Sequence, residues 1–366
     1  MKRRDVLALG GGAAAAIGIG AALTLRSTAS MADYDALARQ EREAVSPPAS
    51  ARDLVRLASL APNSHNTQPW RFEISEGRIA IRPDFARRTP AVDPDDHHLF
   101  VSLGAAAETL SIAAAATGLP GTLRFEESDG AILFDFAAGL PVASQLFNAI
   151  AQRQSTRAPF DGMPLTPELI QRLVEAAAIP GVRLIMLTAP AKIAAVGERI
   201  IDANTIQMTN AAFRAELKHW IRFSPDQAIE TRDGLFAASS GNPTLPPLLG
   251  NLLFDLVVRA GSENERYRAQ LATTPCLAII VSERDDRAHW VAAGQACQRL
   301  LLQATALGLK QSFVNQAVEV PEIRPLLAAD LGVATGERPD LIIRLGYGPE
   351  LPRSLRRPAA AVINEG

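Results

Sequence analysis

Cysteine is nearly absent, with two among 366 residues, so no disulfide framework supports this fold. Cys276 falls in a strand-like run and Cys297 in a helical one, which reads as two buried free thiols. The five histidines and two cysteines show no metal-ligand spacing. Asp93, Asp95, Asp96, His97 and His98 stand just before an apolar helix at 100–117, so they read as its cap and dipole partners and not as a metal site. Charge of one sign is also lacking: a net charge of −2 provides no basic field for nucleic acid. No Gly-x-Gly-x-x-Gly fingerprint is present, so the sequence does not name a nucleotide donor.

What the chain has in quantity is apolar material, 48% against 21% charged residues, enough for one large core or two fused ones. The first thirty residues differ from the rest. Lys2-Arg3-Arg4 precedes an uncharged Gly/Ala-rich run at 6–25 and a small-residue segment at 27–32, the pattern of an export signal. The run is long enough to span a bilayer, so residues 1–31 read as a cleaved signal or as an N-terminal anchor. Residues 32–50 read as a polar linker.

Three segments carry the chemistry. The first is Ala61-Pro62-Asn63-Ser64-His65-Asn66-Thr67-Gln68-Pro69-Trp70, a loop between a helix that Pro62 stops and a strand that alternates from Trp70. Asn66 and Gln68 each combine a donor and an acceptor, which suits a heterocycle edge alternating C=O and N–H. The same polar pattern also describes an Asx-turn loop beside a core tryptophan. The second segment is Arg153-Gln154-Ser155-Thr156-Arg157, in which two guanidiniums four residues apart flank a hydroxyl and can clamp a phosphate. The third is the strand at 340–346, its glycine turn Gly346-Tyr347-Gly348, and the basic tail Arg353-Ser354-Leu355-Arg356-Arg357.

Together these segments resemble the nitroreductase-like flavoproteins, whose Ala-Pro-Ser-x-x-Asn-x-Gln-Pro-Trp loop, Arg-x-Ser-x-(Lys/Arg) segment and Gly-Tyr turn with basic tail match in order. Here Asn63 replaces the usual Ser, with Ser64 beside it. The resemblance runs from about residue 51 to 358 and implies an α+β nitroreductase-like fold binding FMN. Pro62, Asn63, Ser64, His65, Asn66 and Gln68 are then expected at the isoalloxazine ring. Arg153 and Ser155 are expected at the phosphate and ribityl chain, and Arg157 near N1 and C2=O. Asn315 and Gln316 are counted with the cofactor ligands, and Arg356 and Arg357 as phosphate partners with Arg353 a weaker one. No catalytic residue is named, because flavin-mediated hydride transfer requires no side-chain acid or base; His65 stands nearest to such a role.

The chain also repeats itself. Gly104 to Leu110 continues to Gly118-Leu119, and Gly294 to Leu300 continues to Gly308-Leu309, at a constant offset of 190 residues. Arg56-Leu57 before Pro62 is echoed by Arg172-Leu173 before Pro180. The ligand loop survives in the first half only and the phosphate segment in the second only. That division resembles the Acg-type branch, in which one chain imitates a dimer. It implies two degenerate tandem halves, 51–150 and 151–366, forming a monomeric pseudo-dimer with one FMN.

Residues 204–268 read as an insertion that covers the site like a lid. Two functions stay open: an oxidoreductase passing electrons to a nitroaromatic, a quinone or a similar acceptor, and a lidded protein that stores flavin or acts in regulation. NAD(P)H is an open question as donor. The twin arginines resemble a Tat signal, which implies the Tat machinery as partner and export to the periplasm, free or membrane-anchored.

Overall fold

The computed structural model describes residues 29–364, so the export signal expected over residues 1–31 lies almost wholly outside the described residues. The architecture is α+β, with helices flanking two main sheets. In the first sheet the strands are β1 (Trp70–Ser75), β2 (Arg78–Pro83), β3 (Gly121–Glu126) and β4 (Ala131–Phe136). In the second they are β5 (Val182–Leu187), β8 (Cys276–Ser282), β9 (Lys310–Phe313) and β10 (Arg338–Gly346). The pair β6 (Ile221–Arg222) and β7 (Leu235–Phe236) lies in the insertion.

The two sheets have the same plan. The first runs β1-β2-β4-β3 and the second β5-β8-β10-β9, antiparallel at every step. Each half also has a 20-residue helix between its second and third strands, His97–Ala116 and Arg287–Ala306. The helices before β1 and β5 begin at the caps Ser50 and Thr166, whose hydroxyls accept from the N–H groups of Asp53 and Leu169. The echoed Leu57 and Leu173 of those helices are both buried.

The two long helices cross at Gly104 and Gly294. A Cβ on Gly104 would stand 2.0 Å from the carbonyl oxygen of Val291, and one on Gly294 would stand 2.0 Å from that of Val101. The contact is reciprocal at the 190-residue offset, since 294 − 104 and 291 − 101 both give 190. One step further along, the Arg299 guanidinium donates to Glu108 at 2.8 Å and the Gln298 amide donates to Thr109 at 2.8 Å. Positions 108 and 109 thus face their own equivalents, 299 and 298, crosswise, as at a two-fold axis. Around this crossing the main core joins both halves, with Trp70, Phe72, Phe100 and Phe134 from the first and Ile280, Leu300 and Ile343 from the second. The helix His97–Ala116 is apolar and long enough to cross a membrane, but it is this buried core element.

Three expectations need correction. The segment read as a polar linker contains the helix Met31–Gln40, closed by a Ser30/Asp33 capping box. Its Tyr34 is fully buried and packs against Phe236 at 4.4 Å between ring centroids, the rings tilted by 35°. Only two apolar side chains of this helix enter the interior, too few to show as periodicity in the sequence. The insertion is also longer than 204–268. Where β1 and β2 are joined by Glu76-Gly77, the corresponding β5 and β8 are separated by residues 188–275, because the helix Pro190–Thr209 belongs to the added material and packs on the helix Ala260–Ala272. The halves are not separate along the chain either: the C-terminal strand β11 (Ile363–Asn364) returns to the first sheet and pairs in parallel with Phe72 and Glu73. Cys276 and Cys297 are buried and free, and burial pushes both thiols up to about 12.

The crossing yields a direct prediction. Gly294→Ala places a methyl group where a backbone carbonyl already stands, an overpacking that costs about 1 to 3 kcal/mol. Denaturant unfolding should show the midpoint falling with the m-value unchanged, whereas an unaltered midpoint would mean that the helices separate at no cost.

Candidate functional site

The segment 153–157 is held from four directions. Arg153 N–H closes the helix Gln145–Ile150 by donating to Ala149, and Ser155 and Thr156 lie along β9, with Thr156 N–H donating to Gln311 at 2.7 Å. The Gln270 amide donates to the Arg157 carbonyl at 2.5 Å, and Arg344, buried in β10, donates to the Ala158 carbonyl and stacks over Phe160. The Gln154 side chain clasps the backbone of Leu351 on the C-terminal tail.

This arrangement brings an arginine cluster together. Arg153 and Arg356 are each only 6% exposed, and both donate to the Leu60 carbonyl where the helix Ala51–Ala58 runs out. Arg356 donates also to Ser59 and Ala61. Arg42, just past the N-terminal helix, donates to Ala38 and Ser354, and Arg353 donates to Ala151 and Gln152. Burial, reinforced by the neighbouring guanidiniums, lowers Arg153 and Arg42 to about 10 and Arg356 to about 9. Glu41 is the nearby acid, 3.6 Å from Arg42, and burial raises its carboxyl to about 7. A cavity of about 350 Å³, lined in part by Arg39, Arg42 and Arg353, opens beside the cluster. The segment 153–157 and the tail were legible as basic motifs; Arg42 and Glu41 were not, because they sit in the stretch read as a linker.

At the other end, the loop 62–68 folds through left-handed backbone at His65, Asn66 and Gln68, an uncommon conformation for side-chain-bearing residues. Neighbouring Ser64 docks its N–H on Ser102 of the long helix. Asn63 turns inward, accepting from Gln68 N–H at 2.8 Å. The insertion lies directly on this loop: the Asn66 amide donates to Gly234 and Leu355, Gly234 N–H donates back to Asn66, and Arg157 reaches Ser240 at 3.4 Å. Close by, His98 meets Glu319 at 3.4 Å, Gln207 donates to Glu319 at 2.7 Å, and Gln316 donates to Tyr267 at 2.5 Å. Burial lowers His65 to about 4, so its ring is neutral at physiological pH. Burial likewise lowers Arg157, with Arg266 adding to the effect.

Three expected ligands are engaged, wholly or in part, within the protein. Gln68 is fully buried, its amide donating to Arg232 and its carbonyl accepting from Arg357 N–H. Asn315 accepts from Ile342 N–H and so anchors β10. Arg357 points away from the arginine cluster toward Ala361, with Arg87 and Arg71 as its electrostatic neighbours, and leaves its Nη1 buried and unpaired. Adjacent positions in an extended tail face opposite ways, so Arg356 joins Arg153 and Arg357 does not. Pro62 is buried and shapes the loop without a polar contact to offer.

Several of the expected ligands leave buried polar atoms unpaired, which costs about 1 to 3 kcal/mol per group and is rare in native folds. Among the described residues these atoms include Arg153 Nε and Nη1, His65 Nδ1, Asn66 Oδ1 and Gln316 Oε1. The set has a cation at one end and mixed acceptor and donor atoms at the other. It fits a ligand with an anionic group and a polar heterocycle edge, as FMN has. Among the described residues no group of His, Cys, Asp and Glu could hold a metal. Asp93, in the acidic stretch before the long helix, caps it by accepting from His98 and Leu99 N–H groups.

Comparison with known proteins gives a consistent result. Residues 150–347, more than half of the chain, match the model described as "Nitroreductase family". Two Mycobacterium tuberculosis proteins bear the name "Putative NAD(P)H nitroreductase". One is 27% identical over 330 residues, covering 86% of this chain and 91% of the relative. The other, acg, is 25% identical over 328 residues, covering 86% and 95%. A solved nitroreductase with bound FMN from Bacteroides fragilis is 19% identical, covers 57% of this chain and 90% of its own, and has a TM-score of 0.35.

The buried Glu41 carboxyl gives a pH signature. Its pKa is raised on folding, so its contribution to the ligand-free protein is complete below about pH 4 and is lost as pH rises toward about 7. Relative to wild type, Glu41→Gln should therefore gain stability between pH 5 and pH 8, read as the difference in denaturation midpoints. A difference that stays constant with pH would show that Glu41 is not held protonated.

Proposed function

This chain belongs to the nitroreductase family, and we propose that it is an oxidoreductase holding one FMN between its two halves. The observation that carries this is the set of unpaired buried atoms on Arg153, His65, Asn66 and Gln316, residues from three segments far apart in sequence. In this reading Arg153, with Arg356 behind it, takes the phosphate and Ser155 faces the ribityl chain. Asn63, Ser64, His65, Asn66 and Gln316 surround the ring, and Arg157 supplies a cation there. When bound, the flavin supplies two-electron transfer between a donor such as NAD(P)H and an acceptor such as a nitroaromatic or quinone. The protein's own contribution is placement and electrostatics. Phosphate charge compensates the buried arginines, and the insertion keeps water from the ring end.

We read the chain as a fused pseudo-dimer that works as a monomer. Support comes from the identical strand orders and the crosswise contacts of 108 and 109 with 299 and 298. A single site follows from the division of motifs, the loop 62–68 lying in one half and the segment 153–157 in the other. The signal-like residues 1–31 support export of the folded flavoprotein through the Tat route to the periplasm, free or anchored. A second reading, a lidded flavin store, is favoured by one observation: insertion residues Arg232, Gly234 and Ser240 bond directly to Gln68, Asn66 and Arg157.

Two measurements test these readings. Arg153→Ala removes a charge-assisted contact worth about 1.5 to 3 kcal/mol, so FMN affinity should fall by roughly ten- to a hundred-fold. Riboflavin, without phosphate, should bind the variant as it binds wild type, and equal losses for both ligands would remove Arg153 from the phosphate site. Under anaerobic conditions NADPH or NADH should bleach the flavin absorbance, and a quinone or nitroaromatic should restore it. Bleaching by dithionite alone would favour the store.

A further inference from the structure

The insertion helix Pro247–Val257 turns its apolar side outward. Leu248 is 70% exposed, Leu252 74% and Leu256 59%, with Leu249 and Val257 also exposed. At 100° per residue the three leucines fall on one stripe, while the buried Gly250 and Phe254 lie on the opposite side. The buried side is well made. Gly250 packs so closely on Phe223 that a Cβ would come within 2.3 Å of the ring, and Arg214 and Lys218 hold Asp255 and lie over Phe254. The helix is thus firmly seated while its leucines stand largely exposed, an arrangement that marks an interaction surface.

We propose that this face lies on a lipid bilayer, held there by residues 1–28 acting as an uncleaved membrane anchor. The uncharged run at 6–25 has the length that a bilayer core requires, roughly 20 residues. It ends four residues before Ala29, whose N–H donates to Asp226 of the insertion helix Pro225–Thr231. Four residues of extended chain reach roughly 14 Å, so a spanning run brings the insertion to the membrane surface. Phe223, beneath the leucine-bearing helix, precedes Ser224, the cap of the helix Pro225–Thr231. The charges beside the face are Arg214, Lys218 and Arg259 against Asp255, a positive balance suited to anionic headgroups. The inference is independent of the flavin chemistry, because it needs only the anchor and this face.

The test uses the full-length chain reconstituted in phosphatidylcholine/phosphatidylglycerol vesicles. Leu252→Cys carries an environment-sensitive fluorophore, and Leu140→Cys, at a residue 87% exposed, serves as control. The native cysteines are too buried to label. An interfacial helix sinks its apolar face roughly 5–10 Å into the headgroup boundary. Brominated lipid should therefore quench the 252 label at least several-fold more than the 140 label, and aqueous iodide should show the reverse order. Adding Leu248→Glu and Leu256→Glu should reverse the pattern at 252 while the anchor keeps the protein on the vesicles. Iodide quenching at 252 without bromolipid quenching would place the face in water and overturn the proposal. Protection from both quenchers would mean that protein covers the face, either residues 1–28 or a second copy, and would overturn it equally.

Discussion

The close crossing of the helices His97–Ala116 and Arg287–Ala306 is the constraint on which the rest of the molecule depends. It requires bare Cα atoms at Gly104 and Gly294, since a methyl group at either would overlap a carbonyl of the other helix. Close approach draws the two sheets onto one core, and it places Glu108 against Arg299 and Thr109 against Gln298. These pairs occupy equivalent positions but have different side chains. A symmetric dimer would put the same two side chains together twice, whereas a single chain can place an acid in one half and its base in the other. The contact between the two long helices is thereby asymmetric and self-complementary.

The same packing explains why the site lies between the halves. The end of the helix Ala51–Ala58 presents the carbonyls of Ser59, Leu60 and Ala61, and Arg153 and Arg356 come from the other half to meet them. Buried guanidiniums near one another are unfavourable without an anion, and Glu41, shifted toward its neutral form, offsets little of that charge. A bound phosphate would relieve this strain. In the proposed function, cofactor binding and folding stability are coupled through this one electrostatic imbalance.

Around this centre the chain adds covering elements. The N-terminal helix Met31–Gln40, the insertion segment 221–240 and the C-terminal tail share a small apolar cluster of Tyr34, Ala38, Ala228, Phe236 and Leu355. Tyr34 also donates to the Arg353 carbonyl at 2.7 Å. The cover, the arginine cluster and the start of the described chain are thus mechanically joined. A displacement of the N-terminal helix would be felt by Arg42, Arg353 and the loop that carries Gly234.

Local chemistry made much of this legible from the sequence. The Pro62 stop, the capping hydroxyls, the two glycine-closed helices at a 190-residue offset and the Arg153/Arg157 spacing are each set within a few residues, and so the sequence alone determined the element types and the candidate ligand segments and pointed to a repeat. Tertiary structure decided what those side chains do. Gln68 has the right chemistry for a ligand, but Arg232 and Arg357 claim the two ends of its amide, and no local pattern reveals such partners. Arg42 and Glu41 gained importance for the opposite reason: a short helix with two buried side chains leaves little periodicity, yet it docks beside a tail more than 300 residues away. Which buried charges converge depends on long-range packing, and that information appears only when the two halves close on each other.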